Sequence, residues 1–299
     1  MKKNEGTTYG YSWMYKVLVA MLRSVSIKAV YAFMALFAVP FSMLLSRGSR
    51  PTYRYYRYHR HYGRWQSVVA LYRNFYLFGQ TVVDKFAMYA GHRFDVTYHG
   101  FEHAHDRPED APSILLLSAH IGCSEILGYS FHFKKTCNVL VYGGEKQSVM
   151  EYREISFGSM NIRMIPVGTR TSHSDAILRA IDNGETIISF ADRFANAGKV
   201  IASTLHGSPV YLARGPFAMA VTRSMDTYMV CAMKEPDGSY SAYLTALPYD
   251  KTLPPKQQRQ QLADAYTAAI ERQLEQYPLQ WFNFSDIWKE PVSGNAQGM

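Results

Sequence analysis

Cysteine pairs, cofactor-binding motifs and internal repeats are missing from this 299-residue chain. Its three cysteines, Cys123, Cys137 and Cys231, include no CxxC pair, which argues against a disulfide framework and against a structural zinc site. No glycine-rich phosphate loop of the Walker type is present. The sequence therefore predicts a reducing compartment and a reaction that uses neither a metal ion nor another cofactor.

Acidic residues are in the minority, and the segment from 47 to 83 has none. The chain carries 32 Lys and Arg against 24 Asp and Glu, a net charge of +8, which favours an anionic partner. Arg50, Arg54, Arg57 and Arg64 recur at helical spacing with tyrosines between them, and this pattern predicts one basic stripe on a helix. Arginine interleaved with tyrosine fits stacked nucleic-acid bases and fits equally well the headgroup layer of a bilayer.

An apolar run before the basic segment decides between those partners. Residues 29–45 include no charge over seventeen positions, the short limit for crossing a bilayer, and Pro40 predicts a kink. Three interpretations fit: a retained membrane segment that spans the bilayer or lies in its interface, a cleaved signal peptide, and a buried core helix. We favour the membrane segment, because arginines follow it directly and no small-residue cleavage site is evident. The positive-inside tendency then places the following domain on the cytoplasmic side of the inner membrane. The arginine stripe would touch headgroups, and we expect no nucleic-acid partner.

The rest of the chain predicts a folded α/β domain. Hydrophobic residues make up 47% of the chain and charged residues 19%, enough to close a core. Runs such as 114–118 suit strands buried on both faces of a mixed, largely parallel sheet flanked by helices. The candidate strands lie at 94–99, 114–118, 138–142, 162–167, 186–190, 228–233 and 240–246, and the candidate helices at 124–132, 145–157, 172–183, 215–224 and 255–276.

A histidine and a carboxylate stand directly after the run 114–118. His120 and Glu125 would lie about 140° apart on a continuous helix, because each residue turns a helix by about 100°. They can cooperate if His120 lies in a strand-to-helix turn that Gly122 permits, with Glu125 in the first helical turn pointing back at the imidazole. A carboxylate on one ring nitrogen fixes the tautomer and raises the basicity of the other nitrogen, as a general base requires.

Two other interpretations of this segment stay open. His120 fits an ordinary hydrogen-bonded histidine, with Glu125 as a favourable charge at a helix start. Cys123 fits an activated nucleophile beside a histidine. A small packing residue is the commoner use of such a cysteine, and catalysis by Cys123 would leave Glu125 without a role.

Four blocks of sequence, in order, resemble the lysophospholipid acyltransferase superfamily. The segment LLLSAHIGCSEI resembles its first motif, a histidine and an acidic residue separated by four positions, in the version used by the late acyltransferases of lipid A biosynthesis. Segment 185–193 resembles a strand that ends in an Asp-Arg pair, and 205–217 resembles the loop before the next helix. The ending at 277–288 resembles the closing motif of acyltransferases from aryl-polyene and flexirubin-type pigment clusters. Cys123, Ser124 and His206 depart from the lipid A pattern.

The resemblance implies the acyltransferase fold and transfer of a fatty acyl group. The donor would be an acyl carrier protein or coenzyme A thioester, and the acceptor a hydroxyl or amine of a membrane lipid or glycolipid. His120 would be the general base and Glu125 its support. The domains would be a membrane anchor at 1–50, basic and amphipathic interfacial helices at 51–92, a catalytic domain at 93–290 and a disordered tail at 291–299.

Further residues are candidates for substrate binding. Backbone amides at the helix start after Gly122 suit a developing oxyanion. Arg193 and Arg214 suit anionic groups on donor or acceptor, with a structural ion pair to Asp192 or a neighbouring carboxylate as the alternative. Asp192 and Gly207, which lie in the matched blocks, complete the set.

A protein of another class fits the same sequence. It would be a catalytically inactive, membrane-tethered protein that binds anionic lipid or nucleic acid through the arginine and tyrosine stripe. An open groove with the polar atoms of His120 and Glu125 meeting at its floor would favour the enzyme, and a buried pair without access would favour the binding protein.

Overall fold

The secondary structure follows from a computed structural model that describes residues 17, 19–102, 108, 110–130, 134–142, 161–167, 173–194 and 197–290. The candidate helix 145–157, the tail 291–299 and the first sixteen residues of the predicted anchor lie outside these residues. The strands are β1 (Val96–His99), β2 (Ile114–Ser118), β3 (Cys137–Tyr142), β4 (Ile162–Val167), β5 (Thr186–Phe190), β6 (Val200–Leu205), β7 (Ser208–Ala213), β8 (Asp226–Lys234) and β9 (Tyr240–Ala246). The α-helices are α1 (Ile27–Phe33), α2 (Val39–Leu45), α3 (Ser49–Arg54), α4 (Arg64–Tyr89), α5 (Glu125–Ser130), α6 (His173–Asp182), α7 (Arg214–Thr222) and α8 (Pro255–Gln276).

Seven of these strands form one mixed sheet in the order β1-β9-β8-β2-β5-β3-β4. Strands β8, β2, β5, β3 and β4 are parallel to one another, whereas β9 is antiparallel to β8 and parallel to β1. The predicted mixed, largely parallel sheet flanked by helices is therefore confirmed. It presents the carboxyl ends of five parallel strands at one edge, where open α/β sheets bind their ligands.

Strands β6 and β7 form a separate antiparallel hairpin, which the candidate strands did not include. Their connection is the two-residue turn His206–Gly207, with φ values of 49° and 70°. Two consecutive left-handed residues make the tight turn that matches the twist of a hairpin. Histidine is uncommon in that conformation, so the sequence carries only the glycine as a turn signal.

The central strand β2 is buried along its whole length. Leu115 and Leu117 belong to the core cluster beneath α7 and α8, and Ile114 and Leu116 to the cluster on the opposite face. This alternation follows from the two-residue period of a strand. The fully buried Tyr266 of α8 donates its hydroxyl to the carbonyl of Ser118 at 2.7 Å, so the end of β2 is held in place.

The N-terminal apolar helix lies along the outer side of α4. It runs without interruption over Ile27–Leu45 and is long and apolar enough to cross a membrane, judged by length and composition alone. A π-helical stretch precedes Pro40 at the start of α2, so the helix accommodates the proline by widening. Val39 packs against Leu71 of α4, and the Tyr31 hydroxyl donates to the buried Asp84 near the other end of α4.

The basic segment does not form one continuous helix, so the prediction of a single arginine stripe is wrong. Helix α3 ends in a π-helical turn over Tyr55–His59, and His61 has a left-handed φ of 56°. Arg64 begins a separate helix after this break. The Tyr55 ring is buried and lies edge-on to Trp281, with 4.4 Å between ring centroids. Part of the basic segment therefore belongs to the hydrophobic core.

Candidate active site

His120 and Asp192 lie next to each other just beyond the carboxyl ends of β2 and β5. Strands β2 and β5 are parallel neighbours with Ser118 opposite Phe190, so the residues two positions further on lie side by side. The Nδ1 atom of His120 is 2.8 Å from Oδ1 of Asp192, and the main-chain N–H of His120 donates to Oδ2 at 2.9 Å. Asp192 is 1% exposed, whereas the His120 side chain is 32% exposed. A buried carboxylate thus holds an imidazole that reaches solvent.

This arrangement leaves Nε2 on the side of the imidazole that points away from Asp192. The contact with Asp192 assigns the proton of the neutral ring to Nδ1. Among the residues that the structure describes, no hydrogen-bond partner of Nε2 is found. The Phe190 ring flanks the imidazole, with 5.0 Å between centroids. With the ring proton on Nδ1, the lone pair of Nε2 can accept a proton from a hydroxyl.

Asp192 is held in its charged form. Burial alone would raise the pKa of its carboxyl, but the charge and hydrogen bonds of His120, together with the Arg193 guanidinium, keep that pKa below its ordinary value. An ionised Asp192 at neutral pH can stabilise the imidazolium that forms when His120 takes a proton. Within the described ranges, no group of three His, Cys, Asp or Glu side chains is arranged to hold a metal ion.

The carboxylate that hydrogen-bonds to the imidazole is therefore Asp192 rather than Glu125, which corrects the predicted geometry. Glu125 does begin helix α5, but its Oε1 accepts from Nζ of Lys85 in α4 at 2.7 Å. The cause lies in the sheet order, because β5 pairs with β2 and supplies a closer carboxylate. A catalytic role for Glu125 stays a prediction.

Gly122 makes the strand-to-helix turn possible, as predicted. Its φ is 57°, and a Cβ atom there would lie 2.0 Å from the carbonyl oxygen of Ala232. The Gly122 amide donates to the Gln280 carbonyl at 3.0 Å, and the Cys123 amide donates to the Ala232 carbonyl at 2.7 Å. The fold therefore uses these two amides, and oxyanion binding by the amides that follow Cys123 at the helix start stays a prediction.

A short stretch, residues 279–283, closes the site from the C-terminal side, and we call it the closing segment. The amide of Phe282 donates to the His120 carbonyl at 2.7 Å. The buried side chain of Asn283 donates from Nδ2 to the Asp192 carbonyl at 2.9 Å and to Oδ2 at 3.2 Å. On the other side, Asn74 of α4 donates to the Leu279 and Trp281 carbonyls. Sequence reasoning assigned no role to Asn283, although it lies within a matched block.

The two candidate anion-binding arginines lie at the same edge. Arg193 donates from Nε to Oδ1 of Asn283 and from Nη2 to the Phe282 carbonyl, both at 3.1 Å. Arg214 is exposed at the start of α7. The Ala213 amide, just before it, donates to the Ala191 carbonyl at 2.9 Å, which brings Arg214 near Asp192. Gly207 lies in the β6–β7 turn with open space around it.

The arginines predicted to touch headgroups divide into two pairs. Arg54 forms an ion pair with Asp286 at 3.2 Å, and Arg57 donates to the Tyr62 carbonyl at 3.1 Å. Arg50 and Arg64 are exposed. The last two are the better candidates for contact with an anionic surface.

The fold resembles solved structures. No family model and no curated protein matches the sequence. The fold is similar to that of the 1-acyl-sn-glycerophosphate (LPA) acyltransferase PlsC from Thermotoga maritima, with a TM-score of 0.41 and 15% identity, over 90% of this chain and 99% of that chain. A likeness of this size carries no argument about activity or substrate, which rests on the residues of the site.

Proposed function

We propose that this chain is a membrane-associated acyltransferase. It would move a fatty acyl group from an acyl carrier protein or coenzyme A thioester to a hydroxyl or amine of a lipid or glycolipid acceptor. The observation that supports this most strongly is the His120–Asp192 pair, in which a buried carboxylate orients a partly exposed imidazole at the carboxyl edge of the sheet. The four sequence blocks that resemble lysophospholipid acyltransferases contain both residues.

The pair can carry out the transfer in two steps. Nε2 of His120 takes the proton of the acceptor hydroxyl while the hydroxyl oxygen attacks the thioester carbonyl, and Asp192 stabilises the imidazolium. A carbon–oxygen bond forms and a tetrahedral intermediate results. When the intermediate collapses, the carbon–sulfur bond breaks and the imidazolium returns the proton to the departing thiolate. His120 and Asp192 end as they began.

Positive charge near the pair suits the acidic parts of either donor. Arg214 is exposed at this edge, and Arg193 reaches the closing segment through Nε and Nη2. A guanidinium binds phosphate and carboxylate groups through paired donors. We propose Arg214 as a contact for the donor, and Arg193 as a residue whose charge serves the site while its side chain holds the closing segment.

The inactive, lipid-binding alternative has less support. The imidazole is one-third exposed rather than buried, which favours the enzyme, although the carboxylate that meets it is Asp192 and not Glu125 as expected. The stripe on which it depends is also interrupted, since Tyr55 and Tyr56 are buried and Arg57 donates to the Tyr62 carbonyl.

We further propose that the N-terminal helix lies in the plane of the membrane interface. Helix Ile27–Leu45 packs along α4, and α4 is attached to the catalytic domain through Asn74 and the Lys85–Glu125 ion pair. A helix held along the domain in this way cannot cross the bilayer unless the domain enters it too. Its outer face is that of an interfacial helix, with exposed side chains at Phe33, Leu36, Phe37, Phe41, Leu44 and Leu45.

Acyl transfer to lipid by purified variants tests the mechanism. The assay would supply palmitoyl-CoA or palmitoyl-acyl carrier protein to enzyme in vesicles of total membrane lipid and would follow acyl lipid by mass spectrometry. We expect His120→Ala to abolish transfer and Asp192→Asn to lower kcat by about 10³ to 10⁴-fold, because the amide favours the wrong tautomer. Glu125→Gln, the matched carboxylate control, should lower kcat less than about tenfold. Full activity of His120→Ala would refute the mechanism, and a larger loss for Glu125→Gln than for Asp192→Asn would reverse the two assignments.

A further inference from the structure

We propose that Asn283 is a positioning residue that sets the orientation of both Asp192 and Arg193. The inference rests on the proposed function. Asn283 is 6% exposed, and both ends of its amide are committed. Nδ2 donates to the main-chain carbonyl and to Oδ2 of Asp192, at 2.9 and 3.2 Å, and Oδ1 accepts from Nε of Arg193 at 3.1 Å.

The contacts to Asp192 fix the rotation of its carboxylate. Oδ2 accepts from two segments of the chain, the main-chain N–H of His120 and Nδ2 of Asn283. Oδ1 makes the shorter of the two contacts to Nδ1 of His120, 2.8 Å against 3.0 Å. A carboxylate held at one oxygen by two donors presents the other to the imidazole in one orientation. Support of this kind holds a catalytic constellation within the narrow limits that catalysis needs.

Only an amide serves both neighbours at once. Asp192 needs a donor and Arg193 needs an acceptor, and asparagine supplies one at each end of a short side chain. A leucine side chain is similar in size to asparagine, but it has neither the donor for Asp192 nor the acceptor for Arg193. Aspartate would keep an acceptor for Arg193 and turn the donor into a second carboxylate oxygen facing Oδ2 of Asp192, which disfavours charge on that pair.

Asn74 provides a matched control. It is also a buried asparagine that donates to the closing segment, through the Leu279 and Trp281 carbonyls. No hydrogen bond joins it to Asp192 or Arg193 among the described residues. Substitution of Asn74 loosens the same segment but removes no hydrogen bond to Asp192 or Arg193. It therefore distinguishes general support of the segment from specific positioning by Asn283.

The experiment compares Asn283→Leu, Asn283→Asp and Asn74→Leu in the full chain. Steady-state assays with palmitoyl-CoA give kcat and KM, and NMR of protein labelled with ¹⁵N-histidine reports the Nδ1–H resonance of His120. We expect both Asn283 variants to lower kcat about tenfold or more and to shift or broaden that resonance. Asn283→Asp should keep the KM for palmitoyl-CoA within about twofold, because Arg193 retains its acceptor. Asn74→Leu should lower the melting temperature but leave the resonance in place.

Two results would overturn the proposal. One is wild-type kcat with an unmoved resonance in Asn283→Asp, which also decides the matter if Asn283→Leu does not fold. The other is a shift of the resonance in Asn74→Leu as large as that in the Asn283 variants. This result would mean that the closing segment as a whole supports His120 and that Asn283 has no specific positioning role. The NMR readout needs no acyl transfer, so wild-type protein that transfers no acyl group would refute the proposed function and still leave the positioning of His120 open to measurement.

Discussion

Asp192 and Cys123 are both buried beside the turn that carries His120, and their environments have opposite effects on ionisation. Burial raises the pKa of the Cys123 thiol, and the carboxylates of Glu125 and Asp84 raise it further. For Asp192, the neighbouring His120 and Arg193 outweigh burial and lower the pKa. At neutral pH the thiol keeps its proton and the carboxylate has lost its own. Of these two buried groups, only the Asp192 carboxylate is ionised at neutral pH.

We therefore expect Cys123→Ala to keep kcat within about threefold of wild type, because a protonated thiol that is 3% exposed is a poor nucleophile. The small cavity should cost on the order of 1 kcal/mol of stability. Cys137→Ala, at another buried cysteine, is the control for that cost. Intact-mass spectrometry after adding donor without acceptor is the decisive measurement, and an acyl group on Cys123 would overturn the direct-attack mechanism.

Sequence reasoning located His120 and its turn but chose the wrong partner for the imidazole. The local pattern placed Glu125 five residues away, and that was the only carboxylate whose distance could be judged from the chain. Asp192 lies 72 residues further on and approaches only because β5 is the neighbour of β2. Strand order is a property of the whole sheet, so no pattern around His120 contains it. The contacts of Asn283 with Asp192 and of Lys85 with Glu125 also join residues that are far apart in the sequence, so local patterns could not predict them.

At the scale of elements, the turn that carries His120 is held between β8 and the closing segment. Its amides bond to Ala232 on one side and to Gln280 on the other, and Ile121 forms an isolated antiparallel bridge with Trp281. The Gln280 side chain in turn bonds to both main-chain groups of Lys234. Movement of either neighbour would displace His120, so the geometry of the turn depends on both.

Gly122→Ala should displace this turn. The added Cβ would lie 2.0 Å from the Ala232 oxygen at a φ of 57°, so the substitution combines backbone strain with a collision against main chain. We expect loss of most transfer activity and a destabilisation of several kcal/mol, measured by thermal unfolding. Gly207→Ala separates the two causes, because its φ is 70° with nothing within 4 Å. It should cost only about 1 kcal/mol, and equal effects at the two sites would mean that the collision is relieved.

The predicted boundaries agree within about two residues for most described elements, whereas the β6–β7 hairpin and the break in the basic segment were not predicted. Strands β2 and β5 occupy the predicted ranges, since short, strongly apolar runs leave few other arrangements. The predicted stripe is broken where His61 takes a left-handed φ of 56°, and Tyr55 packs inward against Trp281, a contact with a residue more than two hundred positions away. Spacing along the chain cannot report such a contact.

At the scale of the molecule, polar contacts join the apolar helix to α4 and, through α4, to β8. Asp84 of α4 and Lys234 of β8 form a buried ion pair, and the hydroxyls of Tyr31 and Tyr240 donate to the same carboxylate. Breaking a buried pair leaves an uncompensated charge. The helix is therefore an integral part of the fold, and deletion of residues 1–46 would expose the α4 surface beneath it. Point substitutions on its outer face are the better test of membrane binding.

We expect the apolar outer face of the N-terminal helix and the exposed arginines that follow it in the sequence to act together. Phe37 and Leu44 are 61% and 85% exposed, while Arg50 and Arg64 are exposed beyond the helix. Apolar side chains enter the interface, and arginines near anionic headgroups contribute about 1 kcal/mol each. Charge attraction is screened by salt and apolar burial is not. The two contributions are therefore separable by ionic strength.

We expect the double variant Phe37→Glu with Leu44→Glu to leave the membrane fraction at low and at high salt. Arg50→Gln with Arg64→Gln should bind anionic vesicles more weakly than wild type at low salt and equally at high salt. Leu178→Glu, at a 43% exposed position in α6, should sediment with vesicles like wild type. Flotation with vesicles of phosphatidylethanolamine and phosphatidylglycerol measures all three. An in-plane helix also predicts release of the native protein by alkaline carbonate. Retention after carbonate, together with unchanged flotation of the double glutamate variant, would show that the helix crosses the bilayer and that its packing against α4 is lost in the membrane.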